Sequence, residues 1–314
     1  MKLKIASLYS IVLSATGVLA ICWPTAVQAK PFSAFVEFSG ALSDTGNFAT
    51  THGESPAPFY KNRTTNGPVA GELLAARLGI KAESSNHLVG PAQGTNFAVR
   101  DALAGGNGPD DLPAELHAYL DPRKGKADPD AFYFVFNGGN DVIGAVMQPD
   151  DAISNKMLTD AVNGLEAALR TLVKAGAKTI MAPNFADISL VPATRNTPIA
   201  ARAHKLSDSY NEQFERMLDR LEHELKFEFI HWDFDGMLKS IIMHGDEFGI
   251  TNTTEPCAPL LLAGKADPDR YLFLTEIFPT ARAHQLMAES MADTILRRHE
   301  KSDQENNSHR QGSE

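Results

Sequence analysis

Cysteine is nearly missing from this chain: 314 residues carry Cys22 and Cys257 and no third. Cys22 falls inside an N-terminal segment built like a removable leader, so no intrachain disulfide is available to what remains, even in an oxidising compartment. Positive charge is also scarce. The 29 Lys and Arg stand against 39 Asp and Glu, and loss of Lys2 and Lys4 with the leader leaves 27, a net charge of −12. That balance excludes an electrostatic footprint for nucleic acid or for an anionic membrane surface. The ten histidines show neither H-x-x-x-H spacing nor paired cysteines beside them, so no metal-ligand motif is present. Gly105-Gly106-Asn107-Gly108 lacks a following Gly-Lys-Ser/Thr and reads as a turn, not a phosphate loop. No cofactor is expected.

Long apolar runs are confined to the start. Lys2 and Lys4 precede a largely apolar stretch from Ile5 to Ile21, and Val27-Gln28-Ala29 has the small residues of a cleavage site. The run is short for a spanning helix. Cys22 follows Leu19-Ala20-Ile21, whereas a lipoprotein signal places a small residue just before its cysteine. Residues 1–29 therefore predict a signal peptide and export, to the periplasm or the outside.

The remainder has an ordinary globular balance, 43% hydrophobic and 22% charged over the whole chain. Short β-rich runs at Ala34–Phe38, Ala131–Phe136, Thr179–Ala182 and Phe227–Trp232 alternate with helical periods. Met157, Leu158, Ala161, Val162, Leu165, Leu169, Leu172 and Val173 form one stripe, stopped by Gly176. Leu206, Tyr210, Phe214, Met217, Leu218, Leu221 and Leu225 form another. A third helix is expected from Pro279 to Arg298, with proline suited to its first turn. Strands alternating with helices predict an α/β domain over 30–299. The long Gly-, Pro-, Asn- and Asp-rich connections at 39–68 and 84–130 are the expected site rim. Residues 300–314 are wholly polar and read as a disordered tail. Cys257, between prolines, reads as a loop thiol.

Several blocks resemble those of the GDSL, or SGNH, family of secreted esterases and lipases. Phe38-Ser39-Gly40-Ala41-Leu42-Ser43-Asp44-Thr45-Gly46-Asn47 is similar to the family's opening F-G-D-S-L-S-D-T-G-N. Tyr60–Arg63 with Asn66-Gly67-Pro68-Val69, Gly94–Val99, Gly138-Gly139-Asn140-Asp141, Phe248–Asn252, Pro268–Phe273 and Pro279-Thr280 continue the likeness nearly end to end. The resemblance implies a flavodoxin-like three-layer α/β/α fold with a mainly parallel sheet. It also implies a serine nucleophile, a histidine base, an orienting aspartate, and an oxyanion hole made with a second-block glycine and a third-block asparagine.

Laid on those blocks, the nucleophile position holds Ala41, the aspartate position Thr275 and the histidine position Phe278. Arg100-Asp101 replaces a Gly-Gly pair, which puts a bulky side chain where backbone should approach the substrate. Asn140, with Gly139 and Asp141 beside it, keeps its expected identity. Losing nucleophile or base costs on the order of 10⁶ in turnover in a serine hydrolase. The expectation is a family homologue that binds an acyl chain, an ester or a glycan ring, or a protein partner, without hydrolysing it. The alternative is an esterase using displaced groups: Ser39 or Ser43 as nucleophile, with His284 or Glu276 in support. By the same resemblance, the cysteine that would pair with Cys257 is missing from Gly264-Lys265-Ala266-Asp267.

Overall fold

Runs rich in aromatic and β-branched residues pair side by side into a parallel sheet: β1 (Phe35–Ser39), β2 (Phe132–Phe136), β3 (Thr179–Pro183) and β4 (Ile230–Trp232), in that order. This is a computed structural model, in which the described residues are 32–311. The expected leader, with Cys22, lies outside them. The register sets Ser39 beside Phe136, so β1 and β2 end level. Every residue of both strands is buried, as expected of a parallel sheet covered on both faces.

A further segment extends the sheet. Glu37 N–H donates to Thr95 O (3.0 Å), Phe97 N–H to Glu37 O (2.8 Å) and Val99 N–H to Ser39 O (3.1 Å). Residues 95–99 thus lie parallel to β1 on its outer edge, with a bridge between Glu37 and Asn96. The chain leaves β1 outward to this edge and returns past β1 to β2. Right-handed crossovers running in opposite directions put their helices on opposite faces. Accordingly Ala70–Arg77 packs with Ala281–Gln311, while Asp151–Ala175 packs with both Leu112–Leu120 and Ala200–Leu225. The result is the three-layer flavodoxin-like α/β/α arrangement. The strand order reverses between β1 and β2, and open α/β sheets place ligands at the carboxyl ends of such strands.

The two long helices follow their stripes. Asp150 caps the first by accepting from Ala152 N–H (2.8 Å) and Ile153 N–H (3.0 Å), and Gly176, at φ +109°, ends it. Leu206, Tyr210, Phe214, Met217, Leu218 and Leu221 are the buried face of the second. Residues from Phe32 onward form one compact unit. Among the described residues no helix is long and apolar enough to cross a membrane.

Three features depart from expectation. The 84–130 connection contains the helix Leu112–Leu120. A second small sheet pairs β5 (Asn252–Pro256) with β6 (Tyr271–Phe273) in parallel; the first is polar and the second is three residues long, so neither leaves a periodic signal. The last helix runs through Gln311, where wholly polar composition pointed to disorder. Glu, Lys, Gln and Arg are good helix formers, and extending an existing helix incurs no nucleation cost.

Candidate functional site

The turn after β1 is held from beneath by buried carboxylates. Asp44 accepts backbone N–H groups from Gly46 (2.7 Å), Asn47 (2.8 Å), Phe48 (3.1 Å) and Arg100 (2.8 Å). Burial pushes its carboxyl above the usual range while these donors pull it back. Glu115 lies fully buried and accepts from Ser39 N–H (3.0 Å) and Val99 N–H (3.3 Å). One short side chain and one long one thus fix the 39–48 and 97–100 segments to each other.

Above them, at the carboxyl ends of β1 and β2, opens an apolar cleft with about 680 Å³ of empty space including its mouth. Ala41, Gly139, Asn140 and Phe278 all line it, so the structure brings four of the singled-out positions together. Its walls are mainly Phe136, Phe185, Phe234, Phe273 and Ile277. No Asp, Glu, His, Lys, Arg, Cys or Tyr is among the lining residues. The one hydroxyl there belongs to Ser39, which is fully buried with its Oγ donating to Phe136 O at 2.5 Å. The oxygen is committed to the sheet.

Gly138 turns the chain from β2 into the helix Gly139–Met147. Its φ of +104° suits glycine, and a Cβ there would strike the Tyr210 hydroxyl. Gly139 gives its side-chain space to the Phe185 ring. Asn140 donates both amide hydrogens to backbone carbonyls, Arg100 O (2.9 Å) and Ala102 O (2.8 Å). Neither remains for a substrate oxygen. Asp141 faces away from the cleft, accepting from Ala104 N–H (2.8 Å) and Gly105 N–H (3.1 Å), with burial raising its carboxyl to about 6.

Arg100 corrects one expectation. Its side chain is not in the cleft: Nη2 donates to Ser55 Oγ (2.6 Å), and the guanidinium lies 4.7 Å from the Phe48 ring centre and 5.9 Å from that of Phe59. Its backbone N–H donates to Asp44 Oδ2 and is already engaged, at 2.8 Å. Asp101 is exposed and also outside the cleft. Phe59 meets Phe278 edge-on, ring centres 6.3 Å apart. Phe278 thus closes one wall and anchors the 48–63 loop through Phe59. Arg100→Ala removes a hydrogen bond and two cation–π contacts and is expected to cost about 1–2 kcal/mol. Faster limited proteolysis within 48–63 is the measurement that checks it. Thr275 does not line the cleft. It closes a tight turn, its Oγ1 accepting from Phe278 N–H (3.1 Å) and Ile277 N–H (3.4 Å).

The displaced groups do not assemble. His284 is buried, its Nδ1 accepting from Ala70 N–H (3.1 Å) at the start of another helix, and burial lowers its pKa to about 3. Ser43 is buried beneath the turn. Glu276 is exposed. Cys257 is a buried free thiol whose pKa burial raises, which makes it unreactive. The rim also differs from expectation: no residue of 84–130 lines the cleft, whereas Phe185–Val191 and Phe234–Leu238 do.

Sequence reading missed the carboxylates under the floor. Glu37 interrupts an apolar strand and was visible on that ground; Glu115 has no such signal, since its partners are distant backbone N–H groups. Also missed was a cluster of Asp187, His204 and Asp208, whose possible ligand atoms lie within 4.8 Å of one another. It is hydrogen-bonded internally: His204 Nδ1 sits 2.6 Å from Asp187 Oδ2, which raises the imidazole pKa.

Relatives place these observations. An uncharacterised protein from the trpE-trpG intergenic region of Pseudomonas putida is 25% identical over 83% of this chain and 48% of its own length. Esterase EstA of Pseudomonas aeruginosa is 27% identical over 84% of this chain and 47% of its own. The chain spans about half the length of these relatives. Among solved structures, the acetylxylan esterase Axe2 of Geobacillus stearothermophilus is 13% identical over 85% of this chain and 96% of that one, with a TM-score of 0.47. The sequence profile of the GDSL-like Lipase/Acylhydrolase family matches residues 41–291, and with the turn, the third-block Gly-Gly-Asn-Asp and the parallel sheet in place, the chain belongs to that family.

Proposed function

We propose that this protein is a GDSL-family homologue that binds an apolar, acyl-type ligand in the β1–β2 cleft and does not hydrolyse it. One observation carries the reading: the cleft lining holds no ionisable side chain and no free hydroxyl. Acyl transfer needs a nucleophile, a proton acceptor and donors for the developing oxyanion. Ala41 and Phe278 supply neither of the first two, and Asn140 has given its amide hydrogens to Arg100 O and Ala102 O. What the cleft offers is shaped apolar surface, which favours an alkyl chain over a glycan. The leader-like residues 1–29 support export.

Purified protein is expected to hydrolyse p-nitrophenyl acetate, butyrate and palmitate no faster than a heat-denatured control. Turnover above that control, abolished by Asn140→Ala, sinks the reading. The names of the relatives favour a second reading, ester hydrolysis by displaced serines. It requires a fluorophosphonate probe to label Ser39 or Ser43, and an unlabelled serine map by mass spectrometry removes it.

A further inference from the structure

We infer that Asn137 is the polar recognition element of the cleft, so that its ligand is an apolar chain bearing an uncharged oxygen acceptor such as an ester or ketone carbonyl. The inference rests on the binding reading above and adds which group on the ligand is read, and by which side chain.

Asn137 follows β2 directly, lines the cleft and is 4% exposed. Its Oδ1 accepts from Gly138 N–H at 2.9 Å, and its backbone carbonyl accepts from Tyr210 O–H at 3.2 Å. Its Nδ2 has no partner. Exchanging the amide's oxygen and nitrogen does not relieve this. The Gly138 N–H would then face a donor, and the orphan would become Oδ1. The orientation is therefore set by the backbone, and the unpaired group is a donor.

Other buried polar atoms also lack partners, among them Thr65 Oγ1, His87 Nε2 and His284 Nε2. None of those residues lines the cleft; among the described residues Asn137 alone combines both properties. A buried donor without an acceptor is costly, and a ligand that brings an acceptor recovers that cost on binding. Asn140 cannot take this role, because both its hydrogens are engaged at 2.8 and 2.9 Å. A donor without any neighbouring cation selects a neutral acceptor: no Lys, Arg or His lines the cleft to balance a carboxylate.

Two probes separate the inference from the reading beneath it. N-phenyl-1-naphthylamine is a fluorescent apolar molecule without an oxygen acceptor; methyl octanoate carries one and is read by displacement of the fluorophore. Wild type is expected to bind both. Asn137→Leu, and Asn137→Asp in case the leucine variant fails to fold, are expected to keep the fluorophore affinity. Both should bind methyl octanoate about tenfold more weakly, since the aspartate retains the acceptor for Gly138 N–H and removes the donor. Unchanged methyl octanoate affinity in both variants overturns the role of Asn137 and leaves the binding cleft standing. Failure of wild type to bind either probe overturns both.

Discussion

Raising the pH from about 6 to 9 is expected to lower the melting temperature, on the order of 10 °C, and Glu37→Gln to remove a measurable part of that loss. Glu37 sits in the middle of β1, fully buried, with Asn96 Nδ2 donating to one oxygen at 2.6 Å and the Ser43 hydroxyl also close enough to favour the charged form. Burial raises its carboxyl from 4.5 to about 8, with the neighbouring Glu72 adding to the rise. The folded chain thus keeps a proton that the unfolded chain releases near 4.5. Stability is complete below that value and is lost progressively as pH climbs to about 8, by roughly 3–5 kcal/mol.

Glu115, raised well above the usual range by burial, acts in the same direction. His284 and His87 act in the opposite one. Burial lowers them to about 3 and about 4, so they remove stability as pH falls below 6.5. Glu37→Gln leaves new amide hydrogens without acceptors and should start slightly less stable at pH 6, with a flatter profile above it. Calorimetry across this range checks the slope, and a wild-type melting temperature that holds or rises from pH 6 to 9 would contradict the assignment.

Ala41→Ser alone is expected to leave p-nitrophenyl butyrate hydrolysis at background, whereas Ala41→Ser, Thr275→Asp and Phe278→His together raise it at least about 100-fold. A serine hydroxyl is a weak nucleophile without a base, and nucleophile and base act as a unit. The geometry favours the triple change. Ala41 and Phe278 line one cleft. Thr275 Oγ1 already accepts the N–H groups of Ile277 and Phe278, so an aspartate can keep that turn with one oxygen and orient an imidazole with the other. Adding Arg100→Gly or Asp101→Gly tests whether the oxyanion side limits the rate. Equal activity in the single and triple variants would show that the nucleophile is not where the turn places it.

The layers of the fold were legible because their signals are local. Phe132–Phe136 is an uninterrupted apolar run, and the stripes from Leu158 to Leu172 and from Leu206 to Leu221 repeat at helical spacing. The small β5–β6 sheet was not, since Asn252–Pro256 and Tyr271–Phe273 depend on each other and carry little pattern of their own. In the site, the motif positions Ala41, Asn140 and Phe278 could be named, and they share one cleft. Their orientation could not. That Asn140 faces Arg100 O and Ala102 O, or that Arg100 turns onto Phe48 and Phe59, is decided by contacts spanning dozens of residues. Phe185 and Phe234 reach the cleft from segments whose sequence gives them no special mark.

The Phe278–Phe59–Arg100 contact ties the wall of the cleft to the stability of the loop beside it. Each of these side chains now helps hold the 48–63 loop, so a lone change of Phe278 to histidine or of Arg100 to glycine gives up packing before any chemistry can reward it. Aromatic or bulky aliphatic replacements of Phe278 keep the wall against Phe59, so the 48–63 loop tolerates them better than it tolerates a small or polar side chain there.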